Sequence, residues 1–69
     1  MPGTYKKIEI VGTSNVGFSE AVQAAIKEAS QTVRHIDWFE VVEQRGNVKG
    51  DKVAEYQVVL KVGFKIENS

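Results

Sequence analysis

Apolar and polar positions alternate along most of this chain, and the alternation is interrupted once. From Thr4 to Ser14, Ile8 and Ile10 take one side of an extended strand, while Tyr5, Lys7, Glu9 and Val11 take the other. Gly12-Thr13-Ser14-Asn15-Val16-Gly17 is a turn-rich connection. The period then changes. Phe18, Val22, Ala25, Ile26, Ala29 and Val33 recur at steps of three and four, which predicts an amphipathic helix over residues 18–33. Ser19 and Glu20 mark its N-terminus, with the acidic group at the positive end of the helix dipole. Four alanines, Ala21, Ala24, Ala25 and Ala29, favour the helix and keep it slim enough to lie close on a sheet.

Alternation resumes at Ile36 and predicts a second strand to about Arg45. Gly46-Asn47-Val48-Lys49-Gly50-Asp51 reads as a hairpin loop. From Lys52 to Ile66 the pattern is cleanest: Ala54, Tyr56, Val58, Leu60, Val62, Phe64 and Ile66 share one face. Met1-Pro2-Gly3 and Glu67-Asn68-Ser69 are expected to be loose ends. The sum is a single α+β domain over residues 1–69, in the order strand, helix, strand, strand. The crossover helix returns the second strand parallel to the first, and the hairpin makes the third antiparallel. Sheet order 1-3-2 places the long apolar face of the third strand over the helix.

Trp38, the sole tryptophan, does not fit this frame as a core residue. Phe39 and Val41 claim the core side, which leaves Trp38, Glu40, Val42 and Gln44 on the helix-free side. Matching core faces across the hairpin puts Phe39 near Val58 and Val41 near Tyr56, with the loop centred on Val48 and Lys49. Trp38 and Gln57 are then diagonal neighbours about 7–8 Å apart. An indole offers a flat π surface, and a carboxamide offers one acceptor and two donors. Together they suit a flat heteroaromatic with a donor–acceptor edge, such as a nucleobase, a pterin or an isoalloxazine. Stacking contributes roughly 1–3 kcal/mol per ring, and a neutral hydrogen bond about 0.5–1.5 kcal/mol. One such pair binds weakly after association costs, but two subunits could bring two Trp38 rings to one site.

Each of these residues also has a plain structural use. A lone tryptophan can be a subunit contact, Gln57 a solvated strand residue, and Arg45, which shares its parity with Phe39, a surface charge. Lys61 and Lys65 can simply be solubilising, although Lys65 shares the parity of Gln57 and could reach a phosphate. His35 stands at the helix–strand junction without a partner, and no two glutamates form a pair suited to acid–base work.

Size and composition narrow the choices. With 69 residues the chain buries a modest core and is marginal alone. It has no cysteine and one histidine, which excludes disulfides, thiolate metal sites and a multi-histidine site within one chain. Self-association is the remaining common remedy. Nine basic and nine acidic residues are interspersed at zero net charge, where a nucleic-acid binder would usually carry a basic excess. No apolar run reaches membrane-spanning length and no export signal is evident, so the cytoplasm is the expected location. No nucleophile–base pair points to catalysis.

Gly12-Thr13-Ser14, Asp37-Trp38-Phe39-Glu40-Val41, Arg45-Gly46, Tyr56-Gln57-Val58 and Lys61-Val62-Gly63-Phe64, in this order and spacing, resemble the dodecin family. The resemblance covers nearly the whole chain. It implies a β-α-β-β subunit whose sheet curls round one helix, assembled into a hollow homododecamer that binds flavins. It implies flavin pairs stacked between symmetry-related Trp38 side chains, with Gln57 on the pyrimidine edge and Arg45 beside the site. Asp37 and Lys65 join them as further candidate cofactor-binding residues. FMN is the expected flavin, with riboflavin or FAD as alternatives, and coenzyme A is a second ligand in some bacterial members. The expected function is non-enzymatic flavin storage and photoprotection. A structural homo-oligomer without flavin and a flavin-dependent redox protein stand as alternatives.

Overall fold

The structure, a computed structural model, describes residues 3–67. The expected loose ends at Met1-Pro2 and Asn68-Ser69 lie outside the described residues. The elements run β1 (Tyr5–Ser14), α1 (Phe18–Ala29), β2 (Ile36–Lys49) and β3 (Lys52–Lys65). They form one three-stranded sheet in the order β1-β3-β2, with β3 antiparallel to both neighbours.

The helix packs on β1 and β3, and its slim face is buried there: Ala21 and Ala25 meet Val58 and Leu60, with Ile10, Phe18, Val22 and Ile26 around them. Phe18 closes the N-terminal end of this core edge-on against Tyr56, with ring centroids 5.1 Å apart. Helical geometry ends at Ala29, short of the expected Val33. The chain tightens into a turn in which Gln31 N–H donates to Glu28 O and Val33 N–H donates to Ala29 O. The apolar step at Val33 outlasts the helix because this turn still holds it beside the last helical carbonyls. At the other end Gly17 is the N-cap and no side chain caps it; Glu20 lies in the first turn, as expected from the dipole.

The hairpin differs from expectation in a way that matters for the site. β2 continues to Lys49, and the turn is the two-residue Gly50-Asp51, with Gly50 at φ +66°. Val48 and Lys49 are therefore strand residues paired with Val53 and Lys52, not the centre of a loop. The register moves accordingly: Phe39 pairs with Val62 and Val41 with Leu60. Core parity is kept through this change of register, which is why the apolar pattern alone did not fix it. Three irregularities follow along the ladder, leaving Asp37 and Val42 as extra residues on β2 and Ala54 as an extra residue on β3.

The expectation that Phe39 and Val41 are sealed in the core is also corrected. The helix covers β1 and β3, whereas Phe39 and Val41 on β2 remain 47% and 46% exposed. Leu60 opposite them is fully buried. The hairpin extends beyond the helix, and the subunit measures 50 × 20 × 13 Å. No helix among the described residues is long and apolar enough to cross a membrane.

Candidate functional site

The helix-free face is built in rows across the sheet. Lys7, Gly63 and Trp38 form one row, Glu9, Lys61 and Glu40 the next, and Thr13, Gln57 and Arg45 a third further along. Trp38 is half-buried on this face, as the alternation required. Its ring lies toward Gly63 of the central strand and meets Tyr5 of β1 with centroids 5.6 Å apart and planes tilted by 55°. The indole Nε1–H donates to Glu40 Oε2 at 3.0 Å. Lys7 Nζ donates to both oxygens of the same carboxylate at 3.2 Å. The indole hydrogen bond, then that of Lys7, holds the Glu40 carboxyl below its ordinary value of 4.5. The tryptophan is therefore held from three sides by groups on all three strands.

Beside it lies a surface cavity of about 880 Å³ lined by Tyr5, His35, Asp37, Trp38, Lys65 and Glu67. His35 enters β2 in a left-handed conformation, φ +60°, and the bulge at Asp37 follows it. These two irregular residues turn the junction into one wall of the cavity. Trp38, Asp37 and Lys65 are thus brought together.

Gln57 and Arg45 form a second cluster. The Val42 bulge reverses the parity of everything beyond it, so Arg45 leaves the side of Phe39 and joins that of Trp38, directly opposite Gln57. Gln44 moves the other way, pairing with Val58 of the core face. Arg45 Nε–H donates to Gln57 Oε1 at 2.8 Å, and Gln57 Nε2–H donates to Glu55 Oε1 at 2.8 Å. Arg45 also pairs with Glu43 at 2.8 Å, and Asn47 donates to Glu55 at 3.2 Å. The carboxamide is thereby fixed in orientation. One N–H and one oxygen lone pair remain uncommitted by these two bonds.

The two clusters are far apart within one chain. Trp38 pairs with Gly63, six residues along β3 from Gln57, which is about 20 Å at the usual strand rise. The expected diagonal contact between Trp38 and Gln57 does not exist, because the register that would create it is not the register formed. Sequence reasoning also missed three supports of the indole: Glu40, Tyr5 and Gly63. Glu40 was legible as the next residue on the same face of the same strand. Gly63 was legible as the single missing side chain in an otherwise unbroken strand.

Comparison with known proteins gives the family. Residues 4–67 match the model of the dodecin family. This chain belongs to it. Over 69 residues it is 54% identical to the dodecin of Thermus thermophilus, covering both chains completely. Its fold superposes on the solved structure of the Thermus thermophilus tt0972 protein with a TM-score of 0.92 at 53% identity, covering 99% of this chain and 100% of that one. A more distant relative, the calcium dodecin of Mycobacterium tuberculosis, is 34% identical over 62 residues, 90% of this chain and 87% of the relative. Among the described residues here, no group of three or more His, Cys, Asp or Glu is arranged to hold a metal ion. Proteins of the dodecin family are small binding proteins.

Proposed function

We propose that this dodecin-family chain binds a flavin on its helix-free face and acts as a store and photoprotective buffer, not as an enzyme. The observation that carries the proposal is the indole held flat over the central strand by Tyr5 and Glu40, beside a surface cavity. Trp38 supplies the stacking surface. Gln57 supplies the edge: its uncommitted donor and acceptor match the N–H and C=O of a pyrimidine imide, which an isoalloxazine carries. The separation of about 20 Å between them, from the usual strand rise, exceeds what one ring system spans. The site therefore needs a second copy of the chain, with the ring on one subunit's Trp38 and its edge on Gln57 of a symmetry-related subunit.

Self-association is also favoured by the uncovered apolar side of β2, where Phe39, Val41 and Val48 are all exposed in the single chain. A hollow homododecamer, the assembly implied by the family resemblance, would cover them. FMN is the preferred ligand over riboflavin, because Lys65 lines the Trp38 cavity and can meet a phosphate. Asp37 lies on the same wall and fits hydroxyl groups of a ribityl chain. Arg45 holds Gln57 and adds positive charge. FAD and coenzyme A share the phosphate chemistry and are tested in the same titrations. The absence of cysteine from the sequence fits a reducing cytoplasm.

An indole in contact with an excited flavin can donate an electron and quench it, which is the chemical basis of photoprotection. Titration of FMN with the protein is expected to extinguish flavin fluorescence. Trp38→Ala is expected to abolish that quenching while native mass stays that of the parent assembly. Equal binding and quenching by Trp38→Ala would refute the site. Turnover of reduced nicotinamide by the flavin-loaded protein would refute the storage role in favour of redox catalysis.

A further inference from the structure

We propose that Gly63 is a positioning residue for the Trp38 platform, an assignment that rests on the flavin-binding reading of this face. Gly63 sits in the central strand between Lys7 on β1 and Trp38 on β2, and it is buried. Glycine in a strand interior weakens the strand and marks either an unusual backbone or a close approach. The backbone does not require it here: the glycines with positive φ are Gly3 and Gly50, and Gly63 is not among them. Space does require it. A β-carbon at position 63 would stand closer than 3.0 Å to Cζ2, Cε2 and Cη2 of Trp38. The six-membered ring of the indole occupies the volume that any side chain at 63 would fill.

The other two contacts define what this seat achieves. With its benzo edge over the bare backbone of β3, the indole reaches across the sheet to Tyr5 and at the same time presents Nε1–H to Glu40 at 3.0 Å. A methyl group at 63 lifts the ring off the central strand and turns it, because the backbone beneath cannot recede without breaking the ladders to β1 and β2. The hydrogen bond to Glu40 and the contact with Tyr5 are lost together. A ligand that stacks on the ring then meets a plane of different tilt, while the core on the opposite face, centred on Val58 and Leu60, is untouched.

The test is Gly63→Ala, made in the parent and in a Trp38→Phe background, on the full assembled chain. A phenyl ring lacks the Cζ2–Cη2 edge and leaves room for the methyl group. In the parent background FMN affinity is expected to fall by about tenfold or more, and to change by less than about twofold in the Trp38→Phe background, since overpacking strain couples residues in contact. Native mass is expected to match the parent in both. The tryptophan bands at the long-wavelength end of the near-ultraviolet circular dichroism of the ligand-free protein, beyond the absorption of the two tyrosines, are expected to change on Gly63→Ala. Parent-like affinity with an unchanged tryptophan spectrum, or an equal loss in both backgrounds, overturns the proposal. If Gly63→Ala assembles only in the Trp38→Phe background, the clash with the indole is supported; failure in both makes Gly63 purely structural and overturns it. Should the parent bind no flavin, the functional reading fails, and the ligand-free spectrum still decides the positioning role.

Discussion

The two faces of this sheet are made from the same three strands and obey opposite rules. On the helix side, apolar groups meet by shape: Ala21 and Ala25 lie against Val58 and Leu60, and Phe18 meets Tyr56 edge-on. On the helix-free side, polar groups are tied to one another around a single tryptophan, through Glu40 and Lys7 in one cluster and Arg45, Gln57 and Glu55 in the other. The first face holds the subunit together, and the second is organised without being covered. A face that is ordered but uncovered is where a ligand or another copy of the chain gains most, because the arrangement is already made before binding.

Substitutions separate the two faces. Leu60→Ala removes a fully buried side chain from the helix side and is expected to cost about 2–5 kcal/mol. Denaturant unfolding measures it, and a loss below 1 kcal/mol would mean that the helix does not seal this face. Trp38→Ala is expected to leave the unfolding midpoint within a few tenths of a molar of the parent, yet to lose roughly 1–3 kcal/mol of flavin binding per ring. Isothermal titration with FMN measures that. Gln57→Ala is expected to cost about 0.5–1.5 kcal/mol of binding with quenching retained. Because the proposed site takes this residue from a symmetry-related subunit, co-assembly of Trp38→Ala with Gln57→Ala chains is expected to regenerate some intact sites; no recovery in mixed assemblies would place both residues of each site on one chain.

The smallest effect concerns acid. The folded Glu40 carboxyl lies below 4.5, so its pairing with Trp38 and Lys7 is fully present above that value and is lost as pH falls through the lower folded value. Tryptophan emission is expected to shift in that acidic window, and Glu40→Gln is expected to remove the shift. A shift near neutrality would implicate a different group.

How far the chain could be read depended on whether a feature repeated. The order of elements and the apolar faces of α1 and β3 followed from period, as did the side on which Trp38 stands, and the 1-3-2 sheet followed from these with the rules for crossovers and hairpins. Register did not, because every second-residue slip of β2 against β3 preserves the same faces. The turn at Gly50-Asp51 decided it, and two glycines at Gly46 and Gly50 made the loop look longer than it is. Bulges were illegible for a related reason: Val42 is an ordinary apolar strand residue, yet as the unpaired one it carries Arg45 across to the face of Trp38. The face shared by Trp38 and Gln57 was therefore legible where their separation along it was not. Trp38 and Gln57 stand on one face of the sheet but at different ends of it, which makes a second subunit a geometric requirement of the proposed site.

The most direct measurement uses the fact that Trp38 is the sole tryptophan. During an FMN titration, tryptophan emission and flavin emission are followed together. If the flavin ring rests on this indole, both are expected to fall and to saturate at the same molar ratio. Flavin that is bound and quenched while tryptophan emission stays at its starting level would contradict the account.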